Sequence, residues 1–220
     1  MKKDVVLFDF DGTLADTNEL IARSYLHVLD QYFPGKYTLE SVVPFNGPSL
    51  EQVFGQLLPE KASQMVTEYR QYNEQIHDQY IKPFPYVKNV LQELKHANIR
   101  LGVVSTKKNP ILYQGLDKLD IRQYFDIVLG SYDYTQVKPD PEPVLTALNQ
   151  LSVTEAGRCI MVGDNWQDLE SARRAKVTSV FVSWSQKSME DIAPYQPDKV
   201  VDSMIELKEW VLMNQNGGNQ

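Results

Sequence analysis

The chain has 220 residues and a formal net charge of −7, and 42% of its residues are hydrophobic while 23% are charged. This length predicts one or two domains. The acidic balance argues against a general role in binding nucleic acid or anionic membranes, because both need a basic face. The single cysteine, Cys159, excludes an internal disulfide and favours a cytoplasmic location. No apolar run reaches about 18 residues and no secretory h-region occurs, so we expect neither a membrane span nor secretion.

The first predicted element is an apolar strand over residues 4–8. Only helical patterns follow it until about residue 99, which is far more chain than a simple crossover between parallel strands needs. We therefore predict an inserted, all-helical cap domain over residues 16–82. Asp16 and Glu19 resemble a capping box at its first helix. The helical patterns of the insertion span residues 16–33, a shorter segment from about Ser49, and residues 59–80.

Five further apolar runs follow the proline-rich segment at residues 81–87, which we expect to return the chain from the insertion. They are continuous and rich in Val, Ile and Leu, which is typical of parallel strands buried on both faces. Helical patterns alternate with them, and one should begin with Asp140 as its N-cap and Pro141 in its first position. This alternation predicts an α/β fold with a doubly wound, mostly parallel, Rossmann-like sheet. The runs lie at residues 100–104, 126–129, 159–162, 179–182 and 199–201.

The predicted domain organisation is thus an interrupted core with one insertion. Residues 1–15 and 83–214 form the α/β catalytic core, and residues 16–82 form the helical cap. The final residues 215–220 are polar and rich in glycine, so we expect a disordered tail.

Two aspartates stand directly after the first strand, in the sequence DFDGT. Residues two apart on a strand face the same way, so Asp9 and Asp11 should both point out at the carboxyl edge of the sheet, where ligands bind in such folds. Two neighbouring carboxylates repel, and a hard divalent cation such as Mg²⁺ relieves this. Gly12 allows a sharp turn that exposes backbone N–H groups to an anion.

Three later segments bring polar side chains to the same predicted edge. Ser105 ends the second strand, and its hydroxyl can bond a phosphate oxygen. Lys138, held extended by the proline after it, can reach back from the loop after the third strand. Asp164 follows another strand, with Asp168 four residues on, where both share a helix face. Asp164 is a candidate metal ligand, and Asp168 a candidate partner that acts directly or through water.

Each of these features has an ordinary explanation when taken alone. A capped helix start explains an acidic pair, a strand-ending serine can satisfy the backbone, and a loop lysine is usually a solvated surface residue. Together they supply carboxylates, a hydroxyl and a lysine at one edge of a parallel sheet. These are the residue types that metal-assisted phosphoryl transfer through a covalent aspartyl intermediate uses. It leaves open which of Asp9 and Asp11 attacks.

The same segments resemble the four motifs of the haloacid dehalogenase superfamily of phosphohydrolases. The resemblance covers essentially the whole chain, with a helical cap after the first motif, and it is closest to the phosphoglycolate-phosphatase branch. Finer features are similar to the bacterial inorganic pyrophosphatases of that branch. These features are ADTNELI, VPFNGPSL, EYRQYN and VKPDPEPV.

The resemblance implies a role for each residue of the first motif. Asp9 is the nucleophile and a ligand of Mg²⁺. Asp11 is the general acid and then the general base, and its backbone carbonyl also binds Mg²⁺. Gly12 shapes the turn, and its backbone helps to hold the phosphate.

The resemblance also implies roles for the later motifs. The hydroxyl of Ser105 and the backbone N–H of Thr106 bind the transferring phosphate. Lys138 pairs with phosphate and with Asp9, while Asp164 ligates Mg²⁺ and Asp168 supports the metal site. Ser105 stands where the family commonly has threonine. Both side chains carry a hydroxyl group, so the chemistry is kept.

Position 176 departs from the family pattern in a different way. Lys176 stands where the family often has glycine, at a helix end that we expect to be left-handed. This departure concerns stability and not chemistry, because the strain of a non-glycine residue there is about 1 kcal/mol.

The implied reaction is Mg²⁺-dependent hydrolysis of a small phosphorylated substrate, with inorganic pyrophosphate expected and a phosphoglycolate-like phosphomonoester as the alternative. A phosphomutase is disfavoured, because Ile21 occupies the place of its usual histidine. Asp11 disfavours a true dehalogenase, which lacks that acid, and the length and inserted cap disfavour a phospho-receiver domain.

For the cap loop that closes over the substrate we predict Asn46, Gly47 and Ser49, although a tight turn before a helix explains them equally well. The sequence does not indicate an oligomeric state.

Overall fold

The computed structural model describes residues 2–46, 49–184 and 186–215. Its Cα positions divide the chain into two compact units, one formed by residues 1–15 with 83–220 and the other by residues 16–82. Gly47 and the predicted tail from residue 216 onward lie outside the described residues. Gln215, which we expected in that tail, is the last residue of a helix.

The first unit contains a parallel sheet of six strands, which confirms the predicted fold class. Strand β1 is Val5–Phe8, and two short strands, β2 (Ala15–Asp16) and β3 (Lys82–Pro83), pair with each other outside this sheet. The other strands of the main sheet are β4 (Arg100–Val104), β5 (Ile127–Leu129), β6 (Cys159–Gly163), β7 (Thr178–Val182) and β8 (Lys199–Val201). Their spatial order, with β1, is β5, β4, β1, β6, β7, β8.

The register of the sheet positions the loops that follow its central strands. Phe8, the last residue of β1, pairs with Val103 of β4 on one side and with Val162 of β6 on the other. The three strands therefore end together, and the residues that follow them meet at one edge. All strand pairs of this sheet are parallel, so this edge is the carboxyl edge throughout.

Helices cover both faces of the sheet. The helical residues Val144, Ala147 and Ala172 lie in one apolar cluster with Val5 and Leu7 of β1. The alternate strand residues point to the opposite face and are also fully buried, as expected when both faces are covered. The helices of this unit are α4 (Val87–His96), α5 (Asn109–Lys118), α6 (Glu142–Gln150), α7 (Trp166–Ala175), α8 (Met189–Ile192) and α9 (Met204–Gln215).

The second unit is helical and has its own apolar core. The aromatic rings of Tyr25 and Tyr69 lie 4.8 Å apart at its centre, and those of Tyr25 and Phe54 lie 5.5 Å apart. Val28 and Leu29 belong to the same buried cluster. The helices are α1 (Asn18–Tyr32), α2 (Leu50–Leu57) and α3 (Ala62–Tyr80). In the part of the chain that the structure describes, no helix combines the length and apolar character needed to cross a membrane.

Two predicted helix starts are wrong in detail. Helix α1 has Thr17 as its N-cap with no side-chain cap, and Asp16 Oδ1 instead accepts from the backbone N–H of Asn18 at 3.2 Å. The expected capping box does not form, because the carboxylate of Glu19 pairs with Arg23 one turn later.

The start of α6 is shifted by one residue from the prediction. Pro141 is the N-cap rather than the first helical residue, and Asp140 Oδ1 accepts from the N–H of Glu142 at 2.9 Å. In both helices the aspartate satisfies a nearby amide through a local turn, which competes with the capping geometry that we expected.

Lys176 ends α7 in the left-handed conformation that we predicted, with φ 59° and ψ 32°. Its side chain is exposed. Lys176→Gly should therefore raise the free energy of unfolding by about 1 kcal/mol, because only the side-chain strain is removed. Urea unfolding measures this change. Lys118→Gly is the control: Lys118 is the helical last residue of α5, and glycine there should destabilise the protein by up to about 1 kcal/mol. A destabilised Lys176→Gly protein would contradict the expectation.

Candidate active site

Three of the predicted metal ligands meet at the carboxyl edge of the sheet. Asp9 follows β1, Asp164 follows β6, and Asp168 lies in the first turn of α7. Each offers a carboxylate oxygen, and these oxygens all lie within 4.8 Å of one another. The geometry is that of a compact cluster of hard oxygen donors.

The reason that Asp164 and Asp168 approach differs from our expectation. Helix α7 begins at Trp166, so Asp164 precedes the helix and the two residues share no helix face. Asn165 is the N-cap, and Asp168 Oδ2 accepts from the backbone N–H of Asn165 at 3.1 Å in a capping box. The strand end therefore places Asp164, and the helix cap places Asp168.

Lys138 lies inside this cluster, with only 3% of its side chain exposed. Its Nζ donates to Asp9 Oδ1 at 2.8 Å, to Asp168 Oδ1 at 2.6 Å and to the carbonyl oxygen of Val104 at 2.9 Å. The three protons of the ammonium group are thus used by three acceptors from different parts of the sheet edge. Lys138 holds the carboxylates of Asp9 and Asp168 in place.

Burial sets the charge balance of the cluster. It raises the pKa of Asp9 to about 7, although Lys138 opposes this rise. Burial also raises the pKa of Asp164 well above its usual value, and the nearby charges of Asp9 and Asp168 add to the rise. Burial by itself lowers the pKa of Lys138, but Asp168 and Asp9 outweigh it and raise that pKa overall. One lysine does not balance the charge of three carboxylates, and a bound cation would supply the positive charge that is missing.

Two glycines let the carboxylates come this close. Gly12 has φ +80°, and a Cβ atom on it would collide with the carboxylate of Asp164. A Cβ atom on Gly163 would collide with the side chain of Asp168. The N–H of Gly12 donates to the carbonyl oxygen of Ala15 at 2.8 Å, so in this structure it closes the turn instead of facing a ligand.

Asp11 lies outside the three-carboxylate cluster and has its own lysine. Lys107 Nζ lies 3.0 Å from Asp11 Oδ1 and 3.3 Å from Oδ2. About 30% of the Asp11 side chain is exposed, against 13% for that of Asp9. Our sequence reasoning did not assign Lys107 to the site, although its position two residues after the strand-ending Ser105 was an available signal.

Ser105 is buried at the end of β4, and Thr106 after it is exposed. The hydroxyl oxygen of Ser105 accepts from the backbone N–H of Lys107 at 3.2 Å, so its proton is available to donate to a ligand. Tyr134, a second residue that sequence reasoning missed, donates its hydroxyl to the Ser105 carbonyl at 2.7 Å. Burial raises the pKa of Tyr134 to about 12, which keeps it a donor.

The predicted loop residues belong to the helical unit. Asn46 Nδ2 lies 3.4 Å from Asn18 Oδ1. Ser49 is the N-cap of α2, where its Oγ accepts from the N–H of Gln52 at 3.2 Å in a capping box. The hydroxyl of Ser49 thus has a local structural use, which is the ordinary explanation that we considered for this loop.

Known proteins of similar sequence share most of their length with this chain. A family model for haloacid dehalogenase-like hydrolases matches residues 6–182. A relative named pyrophosphatase PpaX, from Bacillus velezensis, is 41% identical over 202 residues, which are 92% of this chain and 93% of the relative. Another relative of that name, from Bacillus mycoides, is 40% identical over 207 residues, which are 94% and 96% of the two chains.

Solved structures agree with this family. A candidate phosphatase from Clostridium difficile superposes with a TM-score of 0.87 at 29% identity, covering 96% of this chain and 99% of that one. A protein from Bacteroides fragilis, assigned as a haloacid dehalogenase-like hydrolase, gives 0.85 at 28% identity, covering 94% and 100%. Because the family model spans most of the chain and the relatives span nearly all of it, this chain belongs to the haloacid dehalogenase-like hydrolases.

Proposed function

We propose that this hydrolase is a Mg²⁺-dependent phosphohydrolase that works through an aspartyl-phosphate intermediate on Asp9, with inorganic pyrophosphate as its substrate. The observation that carries the mechanism is the buried Lys138, whose ammonium group joins Asp9 to Asp168. The substrate is supported by the two relatives named pyrophosphatases, which match more than nine-tenths of the chain. We propose a cytoplasmic location, which suits the one buried cysteine, Cys159.

The donor set suits Mg²⁺, which prefers carboxylate oxygens. Asp9, Asp164 and Asp168 would hold the ion, together with the backbone carbonyl of Asp11 that the family resemblance adds. Burial raises the pKa of Asp9 and of Asp164, so their ionised forms need more positive charge nearby than Lys138 provides. When bound, the ion would polarise the phosphoryl group and neutralise part of its charge.

In the first half of the proposed reaction, a carboxylate oxygen of Asp9 attacks phosphorus in line. The bond from phosphorus to the leaving oxygen breaks, the electron pair stays on that oxygen, and the oxygen takes a proton from Asp11. Lys138 fixes the rotamer of Asp9. The free hydroxyl proton of Ser105 and the N–H of Thr106 hold oxygens of the transferring phosphoryl group.

In the second half, a water molecule gives a proton to Asp11 and attacks the phosphorus of the aspartyl phosphate. The bond between phosphorus and Asp9 breaks, and the carboxylate is restored. Asp11 suits this exchange of protons, since it lies outside the buried cluster and is more exposed than Asp9. Each turnover converts one pyrophosphate and one water into two phosphates.

We further propose that the helical unit, residues 16–82, serves as a lid that excludes bulk water during turnover. The segment at residues 46–49 would contact the substrate, with Asn46, Gly47 and Ser49 as the selecting residues. An unchanged KM for pyrophosphate in Asn46→Ala would contradict this role.

The substrate is tested by phosphate release from the purified protein with Mg²⁺. We expect kcat/KM for pyrophosphate to exceed that for phosphoglycolate and for sugar phosphates by at least about tenfold. Omission of Mg²⁺ should abolish turnover of every substrate. A wide preference for phosphoglycolate would replace the proposed substrate with a phosphomonoester and leave the mechanism intact.

Asp9→Asn should lower kcat by about 10³-fold or more, because the isosteric amide removes the nucleophile. Asp11→Asn is the matched variant: it slows both halves of the reaction but keeps the nucleophile. Intact-protein mass spectrometry after a substrate pulse should therefore detect a phosphate adduct on Asp11→Asn and none on Asp9→Asn. Full Mg²⁺-dependent turnover by Asp9→Asn would refute the mechanism.

The stability of the metal-free protein should depend on pH through the carboxylate cluster. The pKa of Asp9 is about 7 in the folded protein and about 3.8 when unfolded, so the folded state binds more protons between these values. The contribution of Asp9 to the free energy of unfolding should therefore fall as pH rises, and the fall should be clearest from about 5 to about 7, where carboxyl groups with a lowered pKa, such as Glu170, are already ionised in both states. Mg²⁺ favours the ionised carboxylates, so it should raise Tm more at about pH 8 than at about pH 5. Scanning calorimetry measures both effects.

Asp164→Asn is the control for this experiment, because it removes one of the carboxylates that would hold the ion and leaves Asp9 in place. It should reduce the Mg²⁺-induced rise in Tm at the higher pH. Equal Mg²⁺ effects at both pH values in the wild-type protein would contradict a metal site built on these carboxylates.

A further inference from the structure

Lys107 is a cation at the active site that the proposed mechanism does not use. Its ammonium group contacts both carboxylate oxygens of Asp11, at 3.0 and 3.3 Å. It also lies over the ring of the buried Phe10, 5.8 Å from the ring centroid. Only 12% of the Lys107 side chain is exposed, so its charge is directed at the site and not at bulk water.

Hydrogen bonds tie the backbone of Lys107 to its neighbours, so its ammonium group can change partners only by a side-chain rotation. Its N–H donates to the Ser105 hydroxyl at 3.2 Å, and its carbonyl oxygen accepts from the N–H of Ser131 at 2.9 Å. Asn109 anchors the same loop, with its Oδ1 accepting from Tyr132 N and its Nδ2 donating to Asp133 Oδ2. Residues 105–109 are thus held by hydrogen bonds to one another and to residues 131–133, and the Lys107 side chain reaches Asp11 from this segment.

The role proposed for Asp11 indicates where the Lys107 ammonium group lies relative to the bound substrate. As general acid, Asp11 must touch the leaving oxygen of the substrate. A cation in contact with the Asp11 carboxylate therefore lies beside the leaving group as well. The Asp11 carboxylate of this ion pair is about 30% exposed, so a more highly charged partner that enters from solvent can compete with it for the ammonium group of Lys107.

We propose that Lys107 determines specificity for substrates whose leaving group carries a negative charge of its own, by moving from Asp11 to that charge in the bound substrate. With pyrophosphate the new partner is the phosphate that leaves. The move also frees the Asp11 carboxyl group to contact the leaving oxygen. This inference rests on the proposed function, in which Asp11 is the general acid, and the role of Lys107 applies to any anionic leaving group.

This role accounts for the presence of two lysines at one site. Lys138 is buried, has three acceptors and serves the attacking Asp9. Lys107 is less enclosed, has one carboxylate partner and lies on the side of the proton-transferring Asp11. The first lysine would be needed for every substrate, and the second only where the leaving group is charged.

The test compares two substrates whose leaving groups have similar acidity but different charge, pyrophosphate and p-nitrophenyl phosphate. Because they make a similar demand on the general acid, the difference between them reports the charge contact. Lys107→Met should lower kcat/KM roughly 10²-fold for pyrophosphate and less than about tenfold for p-nitrophenyl phosphate. Lys107→Arg keeps the positive charge and should restore the ratio of the two values to within about tenfold of wild type.

Lys118→Met, which removes an exposed lysine from the far end of α5, controls for the change in net charge and should leave both values unchanged. Equal losses for the two substrates in Lys107→Met, or no loss for either, would overturn the proposal. If the wild-type protein does not hydrolyse pyrophosphate, the proposed substrate is wrong. The role of Lys107 is then judged on phosphoglycolate, whose leaving group carries a carboxylate, against ethyl phosphate, whose alcohol is uncharged and makes a similar demand on the general acid.

Discussion

The ammonium group of Lys138 is the contact on which the rest of the site depends. It binds Asp9, Asp168 and the carbonyl oxygen of Val104, which come from three distant parts of the chain. Without a cation there, the buried carboxylates of the cluster would face one another unpaired, and unpaired buried charge is among the most costly features in a protein. Even with Lys138 in place, burial raises the pKa of Asp9 to about 7. The carboxylates are therefore organised but short of positive charge, and a divalent cation would complete the site.

The two aspartates of DFDGT occupy different environments although they are two residues apart. Asp9 is buried with Lys138, and Asp11 is more exposed and pairs with Lys107. Under the proposed mechanism this difference suits Asp9 to be the nucleophile, which needs a fixed position. It suits Asp11 to be the acid–base group, which needs access to water and to the leaving oxygen. Gly12 makes the difference possible, since its left-handed turn carries the chain past Asp164 where a Cβ atom would collide.

The sheet was predictable because each of its strands can be recognised from a short, local stretch of sequence. Continuous apolar runs bounded by turns mark strands buried on both faces, and the structure has a strand at each of the six runs. Helix starts were less predictable: Glu19 pairs with Arg23 instead of completing a capping box, and Asp140 satisfies the amide of Glu142 from outside the helix. These outcomes depend on competition among partners of similar strength, which a short motif does not resolve. Lys107 was missed for a related reason, as a lysine after a strand is usually solvated.

The sequence by itself determined the order of the strands along the chain, the residue types at their carboxyl ends, and hence a site rich in carboxylates at one edge of a parallel sheet. The family resemblance implied the pairing of Lys138 with Asp9, but only the tertiary structure decided that Lys138 also binds Asp168 and that Lys107, 96 residues away along the chain, pairs with Asp11. The tertiary structure also decided that Asp164 and Asp168 meet through a strand end and a helix cap, and not through one helix face. Such pairings depend on strand register and burial, which arise only when distant segments pack together.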